Sequence, residues 1–393
     1  MREVVIVAAA RTAIGKFGGS LMGIPAWKLG SIAIAEALSR AGLDPNIVDE
    51  VIMGNVLQSG QGQGPARQAA VNAGLPHSVA AMTINRICGS GLEAVNTGAA
   101  KIIAGEVDAV VAGGMENMSD APFLLDSARW GYRMGHGKLV DSMLSEALTD
   151  AFDGLHMGVT AENLAERYGI SRGEQDEFAA ASQEKAETAL KNGVFQKEIT
   201  PVEVVLGKKE TRKFIVDEYP RAGITAASLS SLKPAFKENG TVTAGNSSGI
   251  NDGAAVLILM EKKAAKERGI PILAKFVVGA SAGVDPRFMG IGPVFSTRKV
   301  LSRSRIDLKD IGLIEANEAF AAQSLAVGKE LGWDPARVNV NGGAIALGHP
   351  VGASGSRILV TLLYEMLRRE VRFGLATLCV GGGMGVSTII ERA

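Results

Sequence analysis

Short apolar runs alternate along this chain with stretches in which apolar residues recur every three or four positions. Leu92, Val95, Ala99 and Ile102 have the spacing of one helical face, and so do Ile358, Leu362 and Met366. Each helical stretch is followed by a compact apolar run. Val107 to Ala112 predicts a strand ending at Gly113-Gly114, and Leu375 to Val380 predicts one ending at Gly381-Gly382-Gly383. Val51 to Asn55 and Ile311 to Asn317 are further strand-like runs, each ending in Asn. Continuous apolar strands between helices predict an α/β fold with sheets buried on both faces.

The pattern repeats. Ala37-Leu38-Ser39-Arg40 is similar to Val300-Leu301-Ser302-Arg303, Leu43-Asp44 matches Ile306-Asp307, and Ser90-Gly91 matches Ser354-Gly355. These pairs, and the two Asn-terminated runs, share a near-constant offset of 262 to 264 positions. Two homologous halves, each a βαβα unit, follow. In the second half Gly383-Met384 leads straight into an apolar run, Val386 to Ile390. In the first, Gly114-Met115 meets its counterpart, Ala254 to Met260, only after 139 extra residues. The predicted division is residues 1–118 with 249–269 as the N-terminal half, 119–248 as an inserted loop domain, and 270–393 as the C-terminal half. The insertion mixes a charge-rich helical stretch, Ser171 to Asn192, with an irregular polar one, Lys208 to Tyr219. Insertions of this kind commonly overlie a site and contact its ligand.

Composition narrows the function. With 41 Lys+Arg against 41 Asp+Glu there is no basic surplus to attract nucleic acid. The apolar runs fall far short of the ~20 residues of a membrane helix. No basic leader or cleavage site precedes the first apolar run, Val4 to Ala8, so a cytoplasmic location is expected. Two cysteines and four scattered histidines leave no metal motif and no disulfide framework.

Those two cysteines are the candidate chemistry. Cys88 precedes Gly89-Ser90-Gly91 and a helical pattern. A helix N-terminus offers free N–H groups and a positive dipole end, both of which favour thiolate. Cys379 ends a strand before three glycines whose N–H groups could face a reacting oxygen; core filler and site residue are both open for it. His349, in Gly348-His349-Pro350, lies about where Cys88 lies in the other half, so pseudo-twofold packing brings them together. It reads either as a base for the thiol or as a loop histidine with satisfied partners. Asn317 reads as an orienter of water or as a helix N-cap.

Taken together, Cys88-Gly89-Ser90-Gly91, Gly113-Gly114-Met115-Glu116-Asn117-Met118, Asn317-Glu318-Ala319-Phe320, Asn341-Gly342-Gly343-Ala344, Gly348-His349-Pro350 and Cys379-Val380-Gly381-Gly382-Gly383 resemble the thiolase family, in order and over the whole chain. His156-Met157-Gly158 points to its acetoacetyl-CoA branch. The resemblance implies a duplicated five-layered αβαβα fold with an inserted loop domain, and a homodimer or homotetramer. It implies condensation of two acetyl-CoA to acetoacetyl-CoA and CoA, and the reverse, without cofactor or metal. Cys88 would carry the acyl group, His349 would activate it, and Cys379 would act as acid and base. Asn317 would hold an oxyanion-hole water beside His349, while the N–H groups of Cys88 and Gly381 form a second hole. Arg221 and Ser247 would contact CoA, and His156, Met157, Met289 and Phe320 would shape the thioester pocket. A degradative thiolase of broad chain length is the nearest rival. Decarboxylating synthases of the same fold usually carry two histidines and no second cysteine. A non-catalytic lipid-binding relative should lack one of Cys88, His349 and Cys379, and a metal-binding protein has no grouped ligands here.

Overall fold

A computed structural model describes residues 2–206 and 210–393. Nine strands carry the architecture: β1 (Val4–Thr12), β2 (Glu50–Gly54), β3 (Ala80–Ile84), β4 (Ala109–Asn117), β5 (Asn251–Glu261), β6 (Ala274–Gly283), β7 (Leu313–Ala316), β8 (Phe373–Val380) and β9 (Met384–Arg392). Their order in the sheet is β7-β8-β9-β6-β1-β5-β4-β2-β3. Within it, β1-β5-β4-β2 and β6-β9-β8-β7 repeat the same pattern, two antiparallel pairings followed by a parallel one. The repeats meet edge to edge where Val5 and Ile6 of β1 pair with Lys275 and Ala274 of β6. The duplication read from the sequence is therefore the symmetry of the fold.

Helices complete five layers. The helix α1 (Ala26–Ala41) covers the outer face of the N-terminal sheet, and α5 (Gly292–Ser304) covers that of the C-terminal sheet. Between the sheets lie α2 (Ser90–Ala104) and α6 (Val351–Arg369), packed on each other and on strands of both halves. The middle position explains the composition of α6, whose residues from Val351 to Leu363 are all buried. Arg357 is buried there too, 3.5 Å from Glu315. Burial of this helix therefore includes polar residues, Ser354, Ser356, Arg357 and Thr361, which need partners inside the protein.

The two central helices touch through glycine. A Cβ on Gly355 would lie 2.4 Å from the backbone N of Leu92, and one on Gly91 would lie 2.7 Å from that of Ser356. Another close approach corrects an expectation. Gly113-Gly114 was expected to end a strand, yet β4 runs through both to Asn117. A Cβ on Gly114 would stand 2.0 Å from the carbonyl oxygen of Gly352, so this glycine makes room for α6 rather than for a turn. In the second half Gly381-Gly382-Gly383 do end β8, with φ of 75° and 82° at Gly382 and Gly383, a region that glycine enters without strain.

The inserted segment contributes α3 (Met157–Tyr168) and α4 (Arg172–Lys191). The latter starts in a capping box between Ser171 and Glu174. The stretch Lys208 to Tyr219, expected to be irregular, holds a strand at Glu210–Phe214 paired with Val202–Leu206; residues 208 and 209 lie outside the described residues. A buried ion cluster ties the segment to β1. Arg11, fully buried, donates to Glu198 at 2.6 Å and to both Asp217 oxygens at 2.7 and 2.9 Å. Burial opposes the guanidinium charge, but the two carboxylates more than offset it and hold the pKa above its ordinary value. Among the described residues no helix is long and apolar enough to cross a membrane.

Gly355→Ala should lower stability by ~3 kcal/mol or more, because backbone cannot move aside as a side chain can. Gly173→Ala, in the first turn of α4 with only an ordinary contact at 3.9 Å, should be neutral or stabilising by up to ~1 kcal/mol. Urea unfolding of the two variants checks this, and equal effects would overturn the account of the helix crossing.

Candidate active site

The central helices start at the same place, and a candidate residue precedes each. Before α2 the chain makes a tight turn. Ile87 sits at φ 45°, uncommon for a β-branched residue and worth ~1–3 kcal/mol of strain. Side chains hold the turn in place. Asn85 accepts from Ile87 N–H at 2.9 Å, and the Ser90 hydroxyl accepts from Arg86 N–H at 2.8 Å while donating to Ile87 C=O at 2.7 Å. This presents Cys88, half-buried, at the floor of a pocket of about 680 Å³.

Before α6 the chain presents His349 to the same pocket. Its backbone N–H donates to Asn251 Oδ1 at 2.9 Å. Its Nδ1 bonds the hydroxyl of Ser354, and that hydroxyl lies 2.8 Å from Pro350 C=O. A hydroxyl has one proton. Donated to Pro350, it leaves the oxygen to accept, so Nδ1 carries the imidazole proton and Nε2 is the free acceptor. Nε2 stands 3.5 Å from the Asn317 amide, whose Oδ1 is buried without a hydrogen-bond partner. Asn317 caps no helix: the next begins at Ala321 with Phe320 as its N-cap.

From the C-terminal half β8 delivers Cys379, buried against Met157, Met289 and Phe320, and the glycine turn delivers Gly381. The Gly381 N–H points at the Cys88 sulfur. The inserted segment supplies the walls. His156 caps α3, its Nδ1 accepting from Gly158 N–H at 3.0 Å, and its ring stacks on Phe236 at 4.6 Å. Phe236 meets Phe320 edge-on at 6.0 Å. Ser247 and the exposed Arg221, whose guanidinium lies over Tyr219 at 5.6 Å, line the pocket as well. The structure thus brings all eleven expected residues to one cavity, Asn317 by its contact with His349.

Electrostatics correct one expectation. The helix N-terminus was expected to favour the Cys88 thiolate. The Gly381 and Cys88 N–H groups do pull the thiol down, but burial outweighs them and leaves it raised to about 11. Burial, with Arg357 behind it, holds His349 down near about 3. Burial and the neighbouring Cys88 raise Cys379 as well. Neutral imidazole and neutral thiols therefore share the cavity at rest, and His349 is equipped to take a proton. Among the described residues no group of three or more His, Cys, Asp or Glu could hold a metal ion.

Sequence reasoning assigned no role to Phe236, Asn251, Ser354 or Glu116. Phe236 had no local signal. Ser354 had one, because it repeats Ser90 and each hydroxyl braces the turn that carries its half's site residue.

Two thiols, an imidazole and paired N–H groups in one apolar pocket are an arrangement suited to thiol-dependent carbonyl chemistry. Residues 4–263 match the thiolase N-terminal domain and residues 270–392 the thiolase C-terminal domain. The chain belongs to the thiolase family. It is 60% identical over 392 residues to the acetyl-CoA acetyltransferase of Pseudomonas aeruginosa and 57% identical over 393 to that of Escherichia coli, spanning 100% of both chains in each case. It superposes on the crystal structure of the Bacillus anthracis acetyl-CoA acetyltransferase with a TM-score of 0.98 and 47% identity, covering 100% of this chain and 99% of that one.

His349→Asn should reveal the buried neutral imidazole. The folded value, about 3, lies below the ordinary 6.5, so the unfolded chain takes up the proton first as pH falls. Stability from this group is present above pH ~6.5 and is lost towards 3. The stability difference between wild type and variant should therefore shift against the wild type from pH 7 to 4 in urea unfolding. A constant difference would refute the neutral assignment.

Proposed function

We propose that this acyltransferase of the thiolase family is an acetyl-CoA C-acetyltransferase working through an acyl-Cys88 intermediate. The observation that carries the reading is the convergence of Cys88, His349, Cys379 and Gly381 on one cavity from both halves of the chain. The names of the full-length relatives support the acetyl substrate. The walls support it too, since the rings of His156, Phe236 and Phe320 and the buried Met157 and Met289 fill the side of the cavity around Cys379. A degradative enzyme of broad chain length would want that space open.

In this reading the thioester enters past Arg221 and Ser247, with Arg221 available to a phosphate of CoA. Cys88 Sγ attacks the acetyl carbonyl carbon as its proton passes to His349 Nε2. The tetrahedral oxyanion sits between the N–H groups of Cys88 and Gly381, each worth ~3 kcal/mol in such a hole. The C–S bond to CoA breaks, and the departing sulfur takes the Cys379 proton. Cys379, now thiolate, removes the α-proton of a second acetyl-CoA. The enolate oxygen is held by the new His349 Nε2–H and by water on Asn317. Its carbon attacks acetyl-Cys88, acetoacetyl-CoA forms, and Cys88 sulfur leaves to recover its proton from His349. Each group ends in its starting state, as a ping-pong scheme requires.

The chain needs no cofactor in this scheme; CoA thioesters are its substrates. We also propose the division into halves 1–118 with 249–269 and 270–393, an inserted segment 119–248, and a cytoplasmic homo-oligomer, dimer or tetramer. Trp130, Met134 and Phe152 of the inserted segment are 87, 98 and 76% exposed, an apolar surface suited to a second copy.

Cys88→Ser should lower acetyl transfer by roughly 10³-fold or more with the fold intact, checked by thiolysis rate and circular dichroism. Substantial retained turnover would sink the assignment. Cys379→Ala should accept one acetyl group per site from acetyl-CoA yet condense very slowly; wild-type condensation would remove its acid/base role. Turnover on acetoacetyl-CoA should far exceed that on a long 3-ketoacyl-CoA, and comparable rates would favour the broad-range alternative.

A further inference from the structure

Glu116, at the end of β4, is fully buried and no step above uses it. Its carboxylate accepts four hydrogen bonds: from Val56 N–H at 3.0 Å, Leu57 N–H at 3.1 Å, Asn55 Nδ2 at 2.7 Å and Gly352 N–H at 2.8 Å. Three donors belong to the loop after β2, in the N-terminal half. The fourth is the first turn of α6, in the C-terminal half, three residues past His349. The space is filled on that side, since a Cβ on Gly352 would fall 2.5 Å from the carboxylate.

Four donors on two oxygens use the acceptor sites of an ionised carboxylate. A protonated one would aim its O–H at a fixed N–H. Burial pushes Glu116 up, and the same four donors pull it back, leaving it at about 7. Complete saturation by donors, two of them on loop backbone and one on a 19-residue helix N-terminus, is an environment for the anion. The charge is also close to the thiol. Val56 and Leu57, whose N–H groups bind Glu116, pack in one cluster with Cys88 and Val351, and a charge on Glu116 adds, after burial, to what raises the thiol.

We propose that Glu116 is a positioning residue of the thiol site: as a buried anion it clamps the loop after β2 to the first turn of α6, and it places a fixed negative charge beside Cys88. Two consequences follow. The clamp sets the approach of the His349 segment to the Cys88 turn. The charge disfavours a resting thiolate, so Cys88 gives up its proton only as His349 receives it. The sulfur then attacks as a basic, strongly nucleophilic thiolate, while the resting thiol resists oxidants and alkylating agents. The other titratable groups lining the cavity of this sulfur are His349, Cys379 and His156, with Lys16, Glu218, Tyr219 and Arg221 also in its lining.

The inference rests on Cys88 as the nucleophile, but its test needs no turnover. Iodoacetamide alkylation of Cys88 is followed by mass across pH 6.5 to 10 in a Cys379→Ser background. Glu116→Gln should shift the profile down by roughly one unit and speed alkylation about tenfold at pH 7.5. Glu116→Asp, which keeps the charge, should follow the parent. Should the glutamine variant not fold, because its amide NH2 must oppose N–H donors, Glu116→Ala takes its place under the same criteria. A neutral variant that keeps the parent alkylation profile would overturn the proposal, leaving a structural brace only. So would an aspartate variant whose profile shifts as far as the neutral one. Failure of the wild-type chain, with Cys379 in place, to transfer acetyl while the alkylation shift is intact would instead count against the function proposed above.

Discussion

Everything at this site depends on how closely two buried helices can cross. The crossing is made by Gly91 and Gly355, which occupy equivalent places in the two halves, and at both of them a single added carbon would strike the partner's backbone. Because both helices start near the crossing, the residues just before them are brought together. One is Cys88 and the other His349. Symmetry supplies the meeting, while chemistry comes from the places where symmetry is broken: a thiol in one half, an imidazole in the other. The serines ahead of these glycines keep a common task. Ser90 ties down the Cys88 turn and Ser354 fixes the tautomer of His349. A duplicated Ser-Gly pair thus aligns Cys88 and His349 from outside the cavity lining.

Much of this was legible in the sequence, for identifiable reasons. The repeat was visible because the helix crossing admits only small residues, so the Ser-Gly pairs survive in both halves as matching text. The pairing of Cys88 with His349 followed from the repeat. Gly113-Gly114 was misread because a glycine records a backbone need without saying which. Here the need was close approach of α6, whereas in Gly381-Gly382-Gly383 it was a turn. Phe236 was invisible. It is fixed by His156 and by the bare backbone of Gly158, where a Cβ would lie 2.2 Å from the ring, and those contacts span nearly eighty positions. The expected Cys88 thiolate failed for a different reason. A helix N-terminus is worth ~1 kcal/mol, and burial can shift a thiol by several units, so the local rule lost to the tertiary one.

That outcome fits the proposed chemistry better than the expectation did. A resting thiolate–imidazolium pair would strip water from two ions in an apolar pocket, at several kcal/mol each before any attraction repays it. Neutral partners avoid the penalty and form charge only when a carbonyl is in place to receive it. His349 can serve at both stages because Ser354 keeps the proton on Nδ1. Nε2 is then an acceptor before acylation and a donor afterwards, without any turn of the ring.

The same electrostatics order the two thiols. Cys379 is held up by burial and then by Cys88, so a thiolate at one site opposes a thiolate at the other. While Cys88 is ionising, Cys379 keeps its proton and is available as an acid to the departing sulfur. Acylation removes the Cys88 charge altogether, since a thioester carries none. From that moment nothing on Cys88 opposes a thiolate on Cys379, and the imidazolium beside it favours one. In the proposed scheme the residue that acts as an acid in the first half-reaction thereby becomes a base for the second. What switches it in that scheme is the covalent state of its neighbour, which alone sets the order of two proton transfers of opposite direction.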